Sequence, residues 1–229
     1  MRVSSTSEYY EGTEAQDWVK NEQAQNSKDP STEVRDNGGG TYTVIGGKAD
    51  GDNNIYIEGT QNIIDRSITQ YSFLYDNGAP VMGATISTLN HSGIDFLNKK
   101  ILSSDGQRIG LYDYMNTAKG GEPLDFKRIG TKQGEKDYDN PLYLYRGVPL
   151  DGMLGLNNAS GVPMYGSARD VGNIGAGEIA GASGLSWFMA RLRFDGLETK
   201  QNGYWPTQEG QPTQQAQRIG YDIGIRYRK

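Results

Sequence analysis

The sequence predicts an α+β fold, with a small β-rich N-terminal part followed by a mainly helical C-terminal domain. Two stretches, TYTVIGG (41–47) and NNIYIEG (53–59), alternate apolar and polar residues and are rich in β-branched and aromatic side chains, the pattern of half-buried strands. Beyond residue 92 the apolar spacing lengthens, with Ile94, Leu97 and Ile101 three and four apart, the repeat of one helix face. The last third holds two helix-start signals, Ser167 before a long run of small residues and Pro212 before TQQAQRIGYDIG. Serine is a preferred N-cap, and proline is tolerated in a first helical turn. The expected division is a polar leader over 1–37, a β-rich unit over 38–90 and a helical domain over 91–229.

Composition bounds the chemistry. Of 229 residues 35% are hydrophobic and 32 are glycine, and tyrosine (15) outnumbers phenylalanine (5). Mean hydropathy is -0.69. Such a chain builds a loop-rich domain around a modest core. No apolar run approaches the roughly 18 residues of a membrane span, and no basic-then-apolar leader is visible. Cysteine is absent, which excludes disulfides, thiolate zinc sites and cysteine nucleophiles. A single histidine, His91, excludes a two-histidine acid–base pair and a multi-histidine metal centre. No cofactor or metal is expected. The formal net charge is -5. That balance argues against a broad nucleic-acid-gripping surface and leaves room for a local basic patch.

Each element follows in order. Residues 1–37 are dominated by Glu, Gln, Asn, Ser and Asp, with a short helix over Thr13–Gln25 capped by Thr13. Strands near 41–46 and 54–58 read as a hairpin across the turn-rich KADGDN. Asp50, Asp52 and Asn54 begin like a calcium loop. The sixth and twelfth positions hold Ile55 and Gln61, where that loop needs Gly and Glu, so turn chemistry is the reading. SITQYSFLYDNGAPVMGATIS (67–87) suggests two more short strands around Asn77-Gly78. SGIDFLNKKILSS (92–104) and GLYDYMNTAK (110–119) read as helices, and 120–166 as a long irregular stretch. Loops of that length are usually functional. Ser167–Gly184 and Leu185–Gln201 are the next helices. In the second, Leu185, Phe188, Leu192 and Leu197 form a wide apolar stripe expected to be largely core.

The helix from Ser167 raises a question of its own, because it carries Gly172, Gly175, Gly177, Gly181 and Gly184. Relative to alanine, five such glycines cost roughly 4–5 kcal/mol of helix propensity. Asn173, Gly177 and Gly181 recur four apart on one face, with Gly172 and Ala176 beside them. Two readings account for this: a tight crossing with another helix, or the floor of a ligand site.

EPLDFKRIG (122–130), ARDVGNIGAG (168–177) and GQPTQQAQRIGYDIGIRY (210–227) resemble the three signature blocks of the bacterial polymorphic toxin type 44 domain. The resemblance spans residues 94–229. TYTVIGGKADGDNNIYI is similar to the segment that precedes such toxins in rearrangement-hotspot (Rhs-type) repeat proteins. The resemblance implies a secreted antibacterial effector for competition between bacteria, released from a larger Rhs-type carrier. It would be delivered by contact or a secretion system such as type VI into the cytoplasm or periplasm of a target cell. A cognate immunity protein would protect the producer. The implied activity is that of a hydrolase, a ribonuclease; the alternative is a lysozyme-like peptidoglycan glycan-strand hydrolase.

Candidate site residues come from these blocks. Asp125 and Lys127, two apart, share a face if extended, and suit a base beside an electrostatic stabiliser or a surface ion pair. Arg146 lies among aromatics in YLYRG. Arg169 suits bidentate phosphate or carboxylate binding, or pairing with Asp170 or Asp195. Asp170, near a helix N-terminus, suits capping or catalysis, and Asn173 projects from the same first turn. Glu178, at the edge of the apolar stripe, suits a general acid of raised pKa, with Asp170 or Glu209 completing a glycosidase pair. Gln214, Gln217 and Tyr221 form a row on the last helix that either orients substrate or ties that helix down. His91 reads as a loop or cap residue.

Overall fold

The computed structural model describes residues 32–102, 109–118, 120–128, 137–138, 140–156, 164–202 and 209–228. The leader up to residue 31, with its expected helix over Thr13–Gln25, lies outside the described residues. Seven strands close into a barrel: β1 (Thr32–Gly38), β2 (Thr41–Gly46), β3 (Asn54–Ile57), β4 (Ile63–Ser67), β5 (Thr85–Ser87), β6 (Gly147–Pro149) and β7 (Met164–Ser167). Around the barrel they run β1-β2-β5-β6-β7-β4-β3, and β3 returns to β1. Closure leaves no free strand edge.

This architecture corrects the expected fold class. The β structure is not confined to an N-terminal part, because β6 and β7 come from residues 147–167 and complete the barrel. They are three and four residues long, GVP and MYGS, too short to show an alternation of two. Pairing also differs from the expected hairpin between 41–46 and 54–58. Strand β1 lies between the two, antiparallel to β2 and parallel to β3, so the polar sequence TEVRDNG is a strand rather than leader. Its turn into β2 is made by Gly38, Gly39 and Gly40 at φ of 79°, 63° and 73°, a left-handed run open to glycine. Around Asn77-Gly78 the structure holds one isolated bridge, Leu74 to Pro80.

Inward-facing Val34, Val44, Ile55 and Ile86 fill the barrel, and Phe73 and Val81 from the β4–β5 connection plug it. Each such side chain contributes about 1.5–3 kcal/mol on burial. Asp65 of β4 is also buried; one of its carboxylate oxygens accepts from the Arg66 amide at 2.6 Å and the other has no partner among the described residues.

The described helices are α1 (Ser92–Asp95), continued by a wider turn over Phe96–Ile101, α2 (Leu111–Thr117), α3 (Ala168–Ala182), α4 (Trp187–Asn202) and α5 (Gln211–Gly224). His91 precedes α1 without a side-chain cap. A second core of Phe96, Leu97, Ile101, Phe126, Leu150, Val171 and Ile174 joins them to the barrel. Strand β7 passes into α3 with no intervening loop. Ser167 closes the sheet and caps the helix: its hydroxyl accepts from the Asp170 amide at 3.2 Å, and its own amide donates to the Asp170 carboxylate at 3.0 Å. This reciprocal pair is a capping box.

The glycine-rich face belongs to a helix crossing. β-Carbons on Gly177 and Gly181 would lie 2.7 Å from the Tyr221 backbone nitrogen and 2.5 Å from its carbonyl oxygen. On α5, Gly220 and Gly224 are equally tight against the Ile174 and Glu178 backbones. Two glycines on each helix thus bring α3 and α5 into backbone contact. The expected core stripe of α4 is not observed: Phe188 is 73% exposed and Leu192 48%, whereas Ala190 is fully buried. The apolar residues of α4 are spread around its circumference, so no one face can bury them all.

Candidate functional site

Between α2, α3, α4 and the start of α5 lies a cavity of about 240 Å³. Four of the sequence candidates line it: Asp125, Lys127, Asn173 and Gln217. They arrive from the three blocks singled out in the sequence. The Asp125–Lys127 segment is a short 3-10 turn over Phe126–Arg128 rather than a strand. Its backbone is fixed from below. The Arg146 guanidinium donates to the carbonyls of Lys127 at 2.8 Å and Phe126 at 2.8 Å, and lies 4.0 Å over the Tyr143 ring. Burial lowers the Arg146 pKa from its ordinary value. Arg146 therefore holds the turn and does not line the cavity.

Lys127 extends along α3 over Gly172, where a β-carbon would meet its stem at 3.4 Å. This glycine, unlike those of the crossing, makes room for a side chain of the cavity wall. Asn173 is 5% exposed, and among the described residues its Nδ2 donor has no partner. An unpaired buried donor costs about 1–3 kcal/mol, so its persistence at a cavity wall points to a ligand acceptor. Asp125 is buried and accepts from the Gly121 amide at 3.0 Å.

Gln217 is held by two partners. Its Nε2 donates to Glu209 Oε2 at 2.8 Å, and its Oε1 accepts from Arg191 at 2.5 Å. Arg191 also donates to Glu209 Oε2 at 3.1 Å and pairs with Asp195. Glu209 lines the cavity, and burial raises its carboxyl above the usual range; Gln217, Arg191 and Lys127 act in the opposite direction. Arg128, Arg193 and Tyr114 also line the cavity. Sequence reasoning raised Glu209 only as a partner for Glu178 and placed no role on Arg193 or Tyr114. The available signal was position: Glu209 immediately precedes Gly210, the cap of the last helix.

Six candidates lie elsewhere. Arg169 is buried on the barrel side of α3, donating to the carbonyls of Tyr71 at 2.6 Å and Leu74 at 3.0 Å and to the Tyr145 hydroxyl at 3.3 Å. It also pairs with Asp76 at 3.5 Å and with Asp170 at 3.7 Å, one of the pairings its sequence position offered, and acts as a strut between helix and barrel away from the cavity. Asp170 is fully buried in the capping box. Gln214 donates to the Glu209 carbonyl at 2.5 Å, and the Tyr221 hydroxyl to the Leu185 carbonyl at 2.8 Å; both tie the last helix down. Glu178 is fully buried with neither oxygen hydrogen-bonded among the described residues, and burial lifts its carboxyl well above the ordinary range. Its pKa moves as expected of a general acid, yet it is not among the cavity-lining residues. Arg146 completes the six.

A second hollow of about 350 Å³ is lined by Ile109, Ile179, Ser183 and Arg228. Its one cation already donates to the carbonyls of Gly181 and Leu185. Among the described residues, no three histidine or acidic side chains cluster closely enough to hold a metal ion, and no helix is long and apolar enough to cross a membrane. Compared with known proteins, the chain matches no family model, no curated protein and no solved structure.

Proposed function

We propose that the chain is a hydrolase that cuts RNA, acting as a secreted antibacterial effector released from a larger Rhs-type carrier, with its active site in the cavity between α2, α3, α4 and α5. The observation that carries this reading is the unpaired Asn173 amide beside Lys127 on one cavity wall. A neutral donor next to an ammonium suits a phosphodiester oxygen, to which the Lys127 charge gives increasing stabilisation as negative charge builds. Three cations, Lys127, Arg128 and Arg193, face two carboxyls, Asp125 and Glu209, on the lining. Cationic side chains on the lining suit an anionic substrate. The effector role rests on the sequence blocks that supply Asp125, Lys127, Asn173 and Gln217, and brings with it an immunity protein in the producing cell.

One observation favours a second reading, cleavage of peptidoglycan glycan strands. Glu209 has its carboxyl raised by burial, the state of a glycosidase acid, and Asp125 lies on the same cavity. That pair replaces the one built on Glu178. Incubating the folded chain with total bacterial RNA and, separately, with purified sacculi decides between the two. RNA degradation with intact sacculi supports the first reading; solubilised sacculi with intact RNA overturn it.

A further inference from the structure

We infer that Glu209 is the proton-accepting group of the cavity, with Arg191 and Gln217 as the positioning residues that aim it, and that the linkage it cleaves carries a free 2′-hydroxyl. This inference rests on the RNA-cutting reading and assigns the one role that reading leaves open.

The choice among the cavity's carboxyls follows from their hydrogen bonds. Asp125 is 6% exposed and closes its own turn through the Gly121 amide. Glu209 directs one oxygen only into structure. Oε2 receives both the Gln217 amide at 2.8 Å and the Arg191 guanidinium at 3.1 Å, and Oε1 carries no hydrogen bond among the described residues. The side chain is 16% exposed, so the free oxygen is not sealed in the core. Two donors on one oxygen fix the plane of the carboxylate, and the other oxygen is left to accept a proton, which is how a positioned base is built. Its backbone is held as well: the Glu209 amide donates to Asp195 at 3.2 Å, and the Glu209 carbonyl accepts from Gln214 at 2.5 Å. Lys127 acts on Glu209 by its charge, so ammonium and carboxylate serve the same space.

The step balances without a further reactant. Glu209 takes the proton of the ribose 2′-hydroxyl, and the 2′-oxygen forms a bond to the adjacent phosphorus. The phosphorus–5′-oxygen bond breaks, and the leaving 5′-oxygen takes a proton from water. The products are a 2′,3′-cyclic phosphate and a 5′-hydroxyl end, and the Glu209 proton returns to solvent. Lys127 and Asn173 face the charge that builds on the phosphoryl oxygens.

The test uses the full chain with an RNA oligonucleotide and its counterpart bearing a single 2′-deoxy linkage. Wild type is expected to cut the RNA to 2′,3′-cyclic phosphate ends and to spare the deoxy linkage. Glu209→Gln keeps an oxygen for Arg191 and Gln217, so it is expected to fold. Its kcat should fall by about 100-fold or more with KM little changed. The groups acting on Glu209 are Arg191 and Asp195 from α4, Lys127 from the turn and Gln217 from α5. Arg191→Gln removes the nearest cation, so the acidic limb of the wild-type pH–rate profile should move up by about one pH unit. That shift tests the assignment even if Glu209→Gln does not fold. Glu209→Gln cutting RNA within about threefold of wild type, or an unmoved limb in Arg191→Gln, overturns Glu209 alone. Equal cutting of the deoxy linkage overturns the 2′-hydroxyl step, and no RNA cutting by wild type overturns the underlying reading itself.

Discussion

Gly177 of α3 and Tyr221 of α5 meet backbone to backbone: a β-carbon on Gly177 would stand 2.7 Å from the Tyr221 amide nitrogen. The obstacle is main chain, which cannot swing aside as a side-chain tip can. Gly177→Ala and Gly220→Ala are therefore expected to destabilise the fold by about 2–3 kcal/mol each, although alanine is the better helix former. Gly196 of α4 has nothing within 4 Å of its would-be β-carbon, and Gly196→Ala should stabilise by up to about 1 kcal/mol. Urea denaturation of the three variants checks the contrast. A neutral Gly177→Ala would mean the helices do not cross there.

Arg169 separates structure from chemistry. Its guanidinium ties α3 to the Tyr71 and Leu74 carbonyls. Arg169→Met leaves those acceptors without their donor and should lower stability by about 2–3 kcal/mol. RNA cleavage per folded molecule should stay within about twofold of wild type. Thermal melts and steady-state rates measured on one preparation check both halves.

Lys127 should behave in the opposite way. It is half-buried at the cavity wall and, among the described residues, carries no ion pair. Lys127→Ala is expected to reduce cleavage by about 100-fold, the scale of removing one donor that meets developing charge. Stability should change by no more than about 0.5 kcal/mol. Unchanged activity would remove Lys127 from the site.

Two buried carboxyls give the fold a pH dependence. Asp65 is raised to about 6 by burial, and Glu178 is raised well above its ordinary value. A raised carboxyl withholds nothing below its unfolded value, near pH 4, where both states are protonated. As pH climbs, the unfolded chain ionises first, and stability falls until the folded group ionises too. For Asp65 that window runs from about pH 4 to about pH 6. Asp65→Asn should therefore gain about 2 kcal/mol over wild type at about pH 8 and much less at about pH 4. Glu178→Met also removes two unpaired oxygens and should gain about 1–3 kcal/mol, more at the higher pH. Urea denaturation at both pH values measures each; a gain that does not grow with pH refutes the assignment.

The parts of this fold that announce themselves in sequence are those stabilised locally. The Ser167 cap, the proline-led α5 and the alternation of β2 depend on neighbours a few residues away, and each stands where the residues indicate. Strands β6 and β7 are defined by partners far along the chain, and GVP and MYGS hold no period of their own. The apolar residues of α4 suggested a core helix, but only tertiary placement decides how few of them are covered. At the site, the three blocks did converge through Asp125, Lys127, Asn173 and Gln217. Arg169 and Asp170 sit on the same helix turned toward the barrel, and which way a charged side chain of a nearly all-buried helix faces is not written in its spacing. Glu209 was legible only as a possible partner of Glu178, because its contacts with Arg191 and Gln217 come from two different helices.

The direct passage of β7 into α3 at Ser167 has a mechanical corollary. The last stave of the barrel and the wall bearing Asn173 are one continuous run of chain, with no loop between them. Any force that unzips β7 from β4 or β6 drags that wall out of register with Lys127 and Gln217, so the chain cannot be threaded or prised open while the cavity stays assembled.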